Sequence, residues 1–162
     1  MLDYPVYVRM TAENEEPLFR NRSSAEAVIS TVISAQSQGW LRLHGFIVLP
    51  EALEMVMSPL KQSVSGVVAH IQAETIPLLA ILLPNAGQIW GRRFAQVSLT
   101  TQQALDARLN MLLLEPVANG IADKAESYPY SSANPRYASS VSVYAGFVKA
   151  EANGATSKTP TA

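Results

Sequence analysis

The sequence predicts a single α+β domain of ferredoxin-like type, in which an antiparallel sheet carries packed helices. Three observations predict it. The 162-residue length suits one domain with a substantial core. Apolar strands and amphipathic helices follow in the order β-α-β-β-α-β-α, and the two middle strands adjoin as a hairpin. We place the folded domain at residues 1–150 and expect residues 151–162, which are small and polar, to be a disordered tail.

Composition narrows the functional classes. Hydrophobic residues make up 48% of the chain and charged residues 15%, which predicts a large core or an extensive contact surface. The net charge of −1 lacks the basic excess of a typical nucleic-acid binder, although a local basic patch stays open. The absence of Cys excludes disulfides, thiolate metal sites and a Cys nucleophile. The N-terminus does not resemble a signal peptide, so the cytoplasm is the default expectation.

The first half of the chain supplies three strands and a helix. Residues 6–10 predict the first strand. A capping-box spacing opens a helix at residues 24–38, where apolar side chains recur at helical intervals, and Gly39 is a natural C-terminal stop. Residues 40–49 alternate and then become continuously apolar, as in a strand entering the middle of a sheet. After Pro50, residues 53–58 predict its hairpin partner.

A second helix begins at Ser63 or Ser65 and runs toward Pro77. Residues 76–84 then form the longest uninterrupted apolar run, nine residues, which is too short to span a bilayer. We interpret the run as a buried strand or packed loop. An exposed contact surface for another protein is the alternative, and membrane insertion is a third reading. The side chains of that contact surface would be Ile76, Leu78, Leu79, Ile81, Leu82 and Leu83.

The last strand lies within residues 89–99 and carries Arg92 and Arg93 near its start. Because adjacent strand residues face opposite ways, one of the two at most could serve a given groove. Thr100 is predicted to cap a third helix, which Pro116 and Gly120 are predicted to end. Its buried stripe is predicted to be Leu105, Leu109, Leu112 and Leu113. Residues 136–149 are expected to add a short terminal element.

Five short segments follow one another with an order and spacing that match a known protein family. In chain order they are Pro-Leu-Phe at 17–19, His-Gly-Phe-Ile-Val-Leu-Pro at 44–50 together with Met-Val-Met-Ser-Pro at 55–59, Gly-Gln-Ile-Trp-Gly-Arg-Arg-Phe at 87–94, Leu-Glu-Pro-Val-Ala-Asn-Gly-Ile at 114–121 and Tyr-Pro-Tyr-Ser-Ser-Ala at 128–133. Over residues 4–133 the chain resembles the REP-associated tyrosine transposases, which belong to the HUH class of single-strand transposases. The resemblance implies a fold like the one predicted, often a dimer, and cutting of single-stranded DNA beside hairpins.

The resemblance also implies where a catalytic site would lie. In the family, two His one residue apart on a strand and a third ligand from a helix hold Mg²⁺ or Mn²⁺, and a helical Tyr attacks the phosphate. The two His positions fall on Ala52 and Glu54, the Tyr position on Met111 and the third ligand on Glu115. Ala52 cannot ligate a metal, and a Met thioether can neither attack phosphorus nor bind a hard cation. We therefore predict no catalytic residue, no metal and no cofactor, in an inactive relative of a DNA-nicking transposase.

The residues at these positions have several interpretations. Met111 either plugs the old pocket or contributes to a Met-lined partner surface. Glu54 and Glu115 should converge near the old metal site as solvated or ion-paired acids, with a weak carboxylate cation site or a rebuilt hydrolase as alternatives. His44 is expected to be a hydrogen-bonded sheet residue.

The predicted function is that of a binding or structural subunit in a protein complex. The near-neutral charge, the apolar run and the emptied site favour it, and the partner is expected to be another protein or a second copy of the chain, with no membrane span. The alternative is a non-catalytic DNA-binding protein that recognises hairpin or single-stranded DNA through Arg92, Arg93 and Arg108.

Overall fold

The computed structural model describes residues 4–147, which fold around a four-stranded antiparallel sheet. The strands are β1 (Val6–Ala12), β2 (Leu41–Leu49), β3 (Ala52–Pro59) and β4 (Trp90–Ser98), and the helices are α1 (Arg22–Ser37), α2 (Val64–Leu82) and α3 (Gln102–Ala118). The strand order is β2-β3-β1-β4. This confirms the predicted ferredoxin-like α+β architecture. The expected tail at 151–162 and the end of the predicted terminal element lie outside the described residues, and residues 135–140 form a 3₁₀ turn.

The main core lies between one face of the sheet and the pair α1 and α2. Strand alternation directs every second side chain of β1 and β3 to this face. The buried side chains that meet there include Val8, Met10, Leu53, Met55, Val28, Ile29, Val67 and Ile71. Two helices packed on one face leave the other face free for a different element.

The other face carries α3 and a smaller second core. Helix α3 lies over β2 and β3, where Leu105 and Leu112 pack against buried side chains of the sheet. Within residues 4–147, no helix covers β4 on this side, and its Val97 is exposed. A pocket can therefore form beside α3, where the covered part of the sheet gives way to the open part.

Strand β2 is one edge of the sheet, and the chain after α3 covers it. The Val48 amide donates to the Tyr130 carbonyl at 2.8 Å, and the Ser132 amide donates to the Phe46 carbonyl at 2.9 Å. These hydrogen bonds occupy backbone groups that would otherwise be free to pair with another strand. The chain after α3 thereby holds β2 in position, and with it the hairpin partner β3, which carries Glu54.

The apolar run at residues 76–84 has a different structure from the one predicted. Helix α2 continues through Pro77 to Leu82, so the interpretation as a buried strand or packed loop is wrong. A proline inside a helix removes the hydrogen bond to the carbonyl four residues earlier, here that of Ala73. Ala73 is exposed, so water can satisfy this carbonyl.

Helix α2 is also, by length and composition, long and apolar enough to cross a membrane. Core helices of globular domains have the same property. Its first half is such a helix, because Val67, Val68 and Ile71 are buried against the sheet.

The ends of α1 and α3 differ from the predicted ends by one or two residues. Asn21 caps α1, and its side chain accepts a hydrogen bond from the Ser24 amide at 2.8 Å. Thr101, rather than the predicted Thr100, caps α3, because its hydroxyl accepts from the Ala104 amide at 3.0 Å. Helix α3 also continues past Pro116 to Ala118.

Thr101→Ala is expected to lower the free energy of unfolding by about 1 kcal/mol, because the cap hydroxyl satisfies an otherwise free amide at the start of α3. Thr100→Ala is the matched control and should change the stability by less than about 0.5 kcal/mol. Urea unfolding of both variants measures the difference. Equal losses, or a larger loss for Thr100→Ala, would contradict the assignment of the cap.

Candidate functional site

Strand β3 and helix α3 bring together two acidic residues that are far apart in the sequence. Glu54 points from β3 toward α3, and Glu115 on α3 lies within hydrogen-bonding reach of it. Ala52, two residues before Glu54 on the same strand face, is fully buried and offers no polar atom. The three positions that the resemblance predicts for metal ligands therefore lie near one another, and their side chains are one methyl group and two carboxyl groups.

Arg9 of β1 lies at the centre of this site. It is the cross-strand neighbour of Glu54, and its Nη1 forms a very close ion pair with the Glu54 carboxylate. The same Nη1 lies 3.8 Å from Glu115 Oε1, and Nη2 lies 3.8 Å from Glu51 Oε1. Because Glu54 is only 3% exposed, its charge needs a partner inside the protein. One guanidinium thus faces three carboxylates.

Tyr7 of β1 is a second residue of the site. It is buried beside Glu54, and the guanidinium of Arg108 lies over its ring, 4.2 Å from the centroid. Burial raises the pKa of the Tyr7 hydroxyl well above its usual range, and the charge of Glu54 and a hydrogen bond to Glu54 raise it further. A phenol held in this way stays protonated at neutral pH and is a poor nucleophile.

Glu115 has an unusual protonation equilibrium. Burial, followed by a hydrogen bond to Glu54 and the negative charge of Glu54, raises the pKa of Glu115 to about 7, and Arg9 opposes part of this rise. At neutral pH the Glu115 carboxyl therefore carries a proton for much of the time and can donate it to Glu54.

An open pocket of about 420 Å³ lies beside these residues. Tyr7, Glu54, Arg108 and Glu115 supply its polar part. Met111 stands on its rim and is 62% exposed, so it does not plug the pocket. Met111 lies one turn before Glu115 on the pocket side of α3, where its side chain reaches the solvent-exposed edge of the pocket. The rim is therefore apolar and open to solvent.

The three arginines proposed for DNA contact are not equivalent. Arg108 is half-buried and lines the pocket. Arg92 and Arg93 are exposed on β4 and are not part of the pocket wall. Within residues 4–147, no ion pair occupies Arg92 or Arg93.

The proposed partner surface lies on α2, on the opposite side of the sheet. Its exposed side chains, called here the α2 apolar face, are Ile76, Leu78, Ile81 and Leu82. Ile81 is the most prominent, with 79% of its surface exposed. Leu79 is fully buried and was wrongly included in this surface, because it points into the main core, and Leu83 is half-buried.

The two histidines lie outside the pocket. His44 Nδ1 is 2.7 Å from the Ser142 carbonyl and Nε2 is 2.8 Å from the Ser58 hydroxyl. Because a carbonyl only accepts, Nδ1 must donate, and the neutral ring can accept from Ser58 through Nε2. His44 is thus the hydrogen-bonded sheet residue that the sequence predicts. His70 stacks on Trp40, with 4.0 Å between ring centroids.

Acidification is expected to destabilise the fold through His44. Burial lowers the pKa of His44, the nearby charge of Arg42 lowers it further, and the Ser142 hydrogen bond opposes both. Below pH about 6.5 the unfolded chain takes up a proton that the folded ring resists, so stability is lost at up to about 1.4 kcal/mol per pH unit. The raised pKa of Glu115 acts in the opposite direction in this pH range, so the comparison is between variants. Between pH 7.5 and 5.5 the stability of His44→Gln, which cannot titrate, should fall less or rise more than that of wild-type in urea unfolding. Equal slopes would contradict this assignment.

The residues present do not fit the divalent metal of the family. A hard cation needs several oxygen ligands, but Ala52 has none to offer and Glu54 is already held by Arg9. Across the described part of the chain, no group of three or more His, Cys, Asp or Glu side chains is arranged to hold a metal ion.

This sheet, with two helices on one face and a third helix beside a carboxylate-lined pocket on the other, is the fold of a transposase-like α+β domain. Among solved structures the chain is similar to a REP-associated tyrosine transposase bound to a REP hairpin, with a TM-score of 0.68, 16% identity, and coverage of 82% of this chain and 78% of that one. It is also similar to a candidate transposase from Deinococcus radiodurans, with a TM-score of 0.53, 12% identity, and coverage of 75% and 94% respectively.

No family model and no curated protein matches the chain. The two structural likenesses confirm the transposase-like fold that the five sequence segments predict. At 16% and 12% identity they establish the fold, and the chemistry has to be argued from this chain's own residues.

Proposed function

We propose that this chain is a catalytically inactive relative of the DNA-nicking transposases and works as a binding or structural subunit of a protein complex. The observation that carries the proposal is the content of the pocket. Met111 lines the pocket at the position that the resemblance assigns to the nucleophile, and Glu54, at a position that it assigns to a metal ligand, is held by Arg9. The covalent reaction would lack both its attacking group and its metal.

The remaining groups of the pocket do not supply a substitute. Among the described residues of the pocket wall, Tyr7 alone has a hydroxyl, and burial beside Glu54 raises its pKa further above neutrality. A phosphate that entered would meet the carboxylates of Glu51, Glu54 and Glu115 around a guanidinium that they already occupy. Arg108, which lies over the Tyr7 ring, is the cation of the described pocket wall that would be left for an anionic substrate.

A role in protein contacts is supported by the α2 apolar face. Its four side chains lie on one half of a helix that carries no charge beyond Glu74. Burying a side chain such as Ile81 in an interface is worth about 1.5–3 kcal/mol, so a few such residues can anchor a partner. The uncharged surface suits an equally apolar protein surface, including that of a second copy of this chain.

Ile81→Asp is expected to remove the partner, because it places a charge at the most exposed apolar side chain of α2. Ala69→Asp is the matched control, since it adds the same charge at an exposed position on the first half of α2. The measurement is purification of the tagged full-length protein from its native cells, followed by mass determination in solution. Wild-type and Ala69→Asp should retain a stoichiometric partner or dimerise, and Ile81→Asp should not. Recovery of the wild-type as a monomer alone would contradict the subunit role.

A second candidate function is recognition of hairpin or single-stranded DNA without cutting. It is favoured by the exposed Arg92 and Arg93 and by the similarity to a transposase bound to a REP hairpin. Binding of a labelled hairpin in a gel-shift assay should then weaken with added salt. Arg92→Ala/Arg93→Ala should weaken it further than Arg20→Ala/Arg22→Ala, which removes the same charge elsewhere. No binding at moderate salt would exclude this function.

A further inference from the structure

We propose that Arg9 is a built-in cation that takes the place of the divalent metal and closes this site to Mg²⁺ and Mn²⁺. The inference rests on the proposed loss of strand-cutting chemistry and explains how the fold keeps the old site intact without its ion. It assigns a role to a residue on a strand that contributes no family motif.

Carboxyl groups surround the Arg9 guanidinium, one in direct contact and two at 3.8 Å. Three carboxylates converge on it from three parts of the chain: Glu54 from β3, Glu115 from α3, and Glu51 from the turn between β2 and β3. The guanidinium reaches them from β1, the strand between β3 and β4. The cation thereby joins the sheet to α3, as a metal held by a strand and a helix would.

Electrostatics require a cation at this position. Without one, Glu54 would be a buried charge beside a second carboxyl group, an arrangement that strongly opposes ionisation of both. A guanidinium suits the place because its five N–H groups spread in a planar fork and can serve several acceptors at once. It also cannot dissociate, unlike a metal ion.

The same contacts exclude a divalent metal. The Glu54 carboxylate is already engaged by Arg9, and a second cation placed beside the guanidinium would be repelled by it. Mg²⁺ and Mn²⁺ prefer near-octahedral oxygen ligands at about 2.1 Å. In the described residues the acidic side chains are arranged around the guanidinium and not around a common ion position.

Removal of the guanidinium should therefore create a metal site. Arg9→Met keeps an unbranched side chain but leaves the carboxylates without their cation. We expect this variant to bind Mn²⁺ weakly, with a Kd of about 10⁻⁴–10⁻³ M. Wild-type protein should bind at least tenfold more weakly. Arg42→Met, which removes an exposed arginine from β2, should behave as wild-type.

The test uses Mn²⁺ as the added ligand. Binding is measured by calorimetric titration. Thermal stability is then compared between Mn²⁺ and choline chloride at equal ionic strength. Arg9→Met should be stabilised by Mn²⁺, because an ion that binds the native state raises its stability. Arg9→Met/Glu54→Gln should lose this response. A folded Arg9→Met that ignores Mn²⁺ would overturn the inference.

If Arg9→Met stays unfolded even in Mn²⁺, the comparison of Mn²⁺ binding between wild-type and Glu54→Gln tests the inference instead. Stoichiometric binding of Mn²⁺ by wild-type that Glu54→Gln abolishes would show a real metal site and overturn the inference, whereas no such site supports it. The Mn²⁺ titration contains no DNA, so it tests the role of Arg9 separately from the proposed function. A covalent protein–DNA adduct in a cutting assay would contradict the proposed function.

Discussion

Replacing Arg9 with methionine is expected to lower the free energy of unfolding by about 3 kcal/mol in metal-free buffer. The physical reason is that Glu54, which is 3% exposed, loses its counter-charge and keeps Glu115 as a neighbour. Breaking a buried ion pair by removing one partner typically costs about 3–5 kcal/mol. Urea unfolding at pH 7.5 measures the loss, and a change within about 0.5 kcal/mol of wild-type would contradict the central place of Arg9.

The double variant Arg9→Met/Glu54→Leu is the control for this prediction. Replacing both members of a buried ion pair with apolar side chains is often neutral. The double variant should therefore be more stable than Arg9→Met alone, and the double-mutant cycle isolates the coupling between the two side chains. Additive losses would show that the two residues do not depend on each other.

The second large effect is expected at Leu112, where Leu112→Ala should cost about 3 kcal/mol. Leu112 is 1% exposed and anchors α3 in the second core beside Tyr7, Ile47 and Val56. Truncation of a buried leucine removes apolar contacts and leaves a cavity. Because α3 also carries Glu115 and Met111, its docking holds the helical side of the pocket in place.

Leu114→Ala is the matched control on the same helix. Leu114 is 52% exposed on the pocket rim, so its truncation should change the stability by less than about 0.5 kcal/mol. Chemical unfolding of the two variants side by side checks the orientation of α3. Similar costs at both positions, or a larger cost at Leu114, would contradict the packing of α3 on β2 and β3.

Much of the fold is predictable because its signals are local. The hairpin of β2 and β3 follows from two apolar runs joined by a short turn, and α1 follows from helical periodicity closed by Gly39. Strand alternation also places Ala52 and Glu54 on one face. The prediction that Glu54 and Glu115 lie close together depended on the family resemblance, because no local pattern links a strand to a helix about sixty residues later.

The other half of the site could not be predicted in this way. Arg9 and Tyr7 lie on β1, and Arg9 is 45 residues from Glu54 in the sequence. An arginine in a strand usually points to solvent, and its position opposite Glu54 follows only from the register between β1 and β3. The one available signal is a single charge within the otherwise apolar strand Val6–Ala12.

The error at α2 has a different cause. Two prolines bracket the apolar run, and each favours a break in secondary structure. The helix nevertheless continues through Pro77, because Leu79 still packs in the core and the carbonyl freed by Pro77 can reach solvent. Tertiary packing thus outweighs the local signal, and it leaves Ile81 and its neighbours exposed.

The most direct measurement of the central claim is a cutting assay with a labelled hairpin oligonucleotide and Mn²⁺. Denaturing electrophoresis would detect a cleaved strand or a covalent protein–DNA adduct. We expect neither from wild-type protein, and none from Met111→Tyr, because a restored tyrosine would still face Arg9 where the metal should be. A covalent adduct formed by wild-type protein would contradict the account.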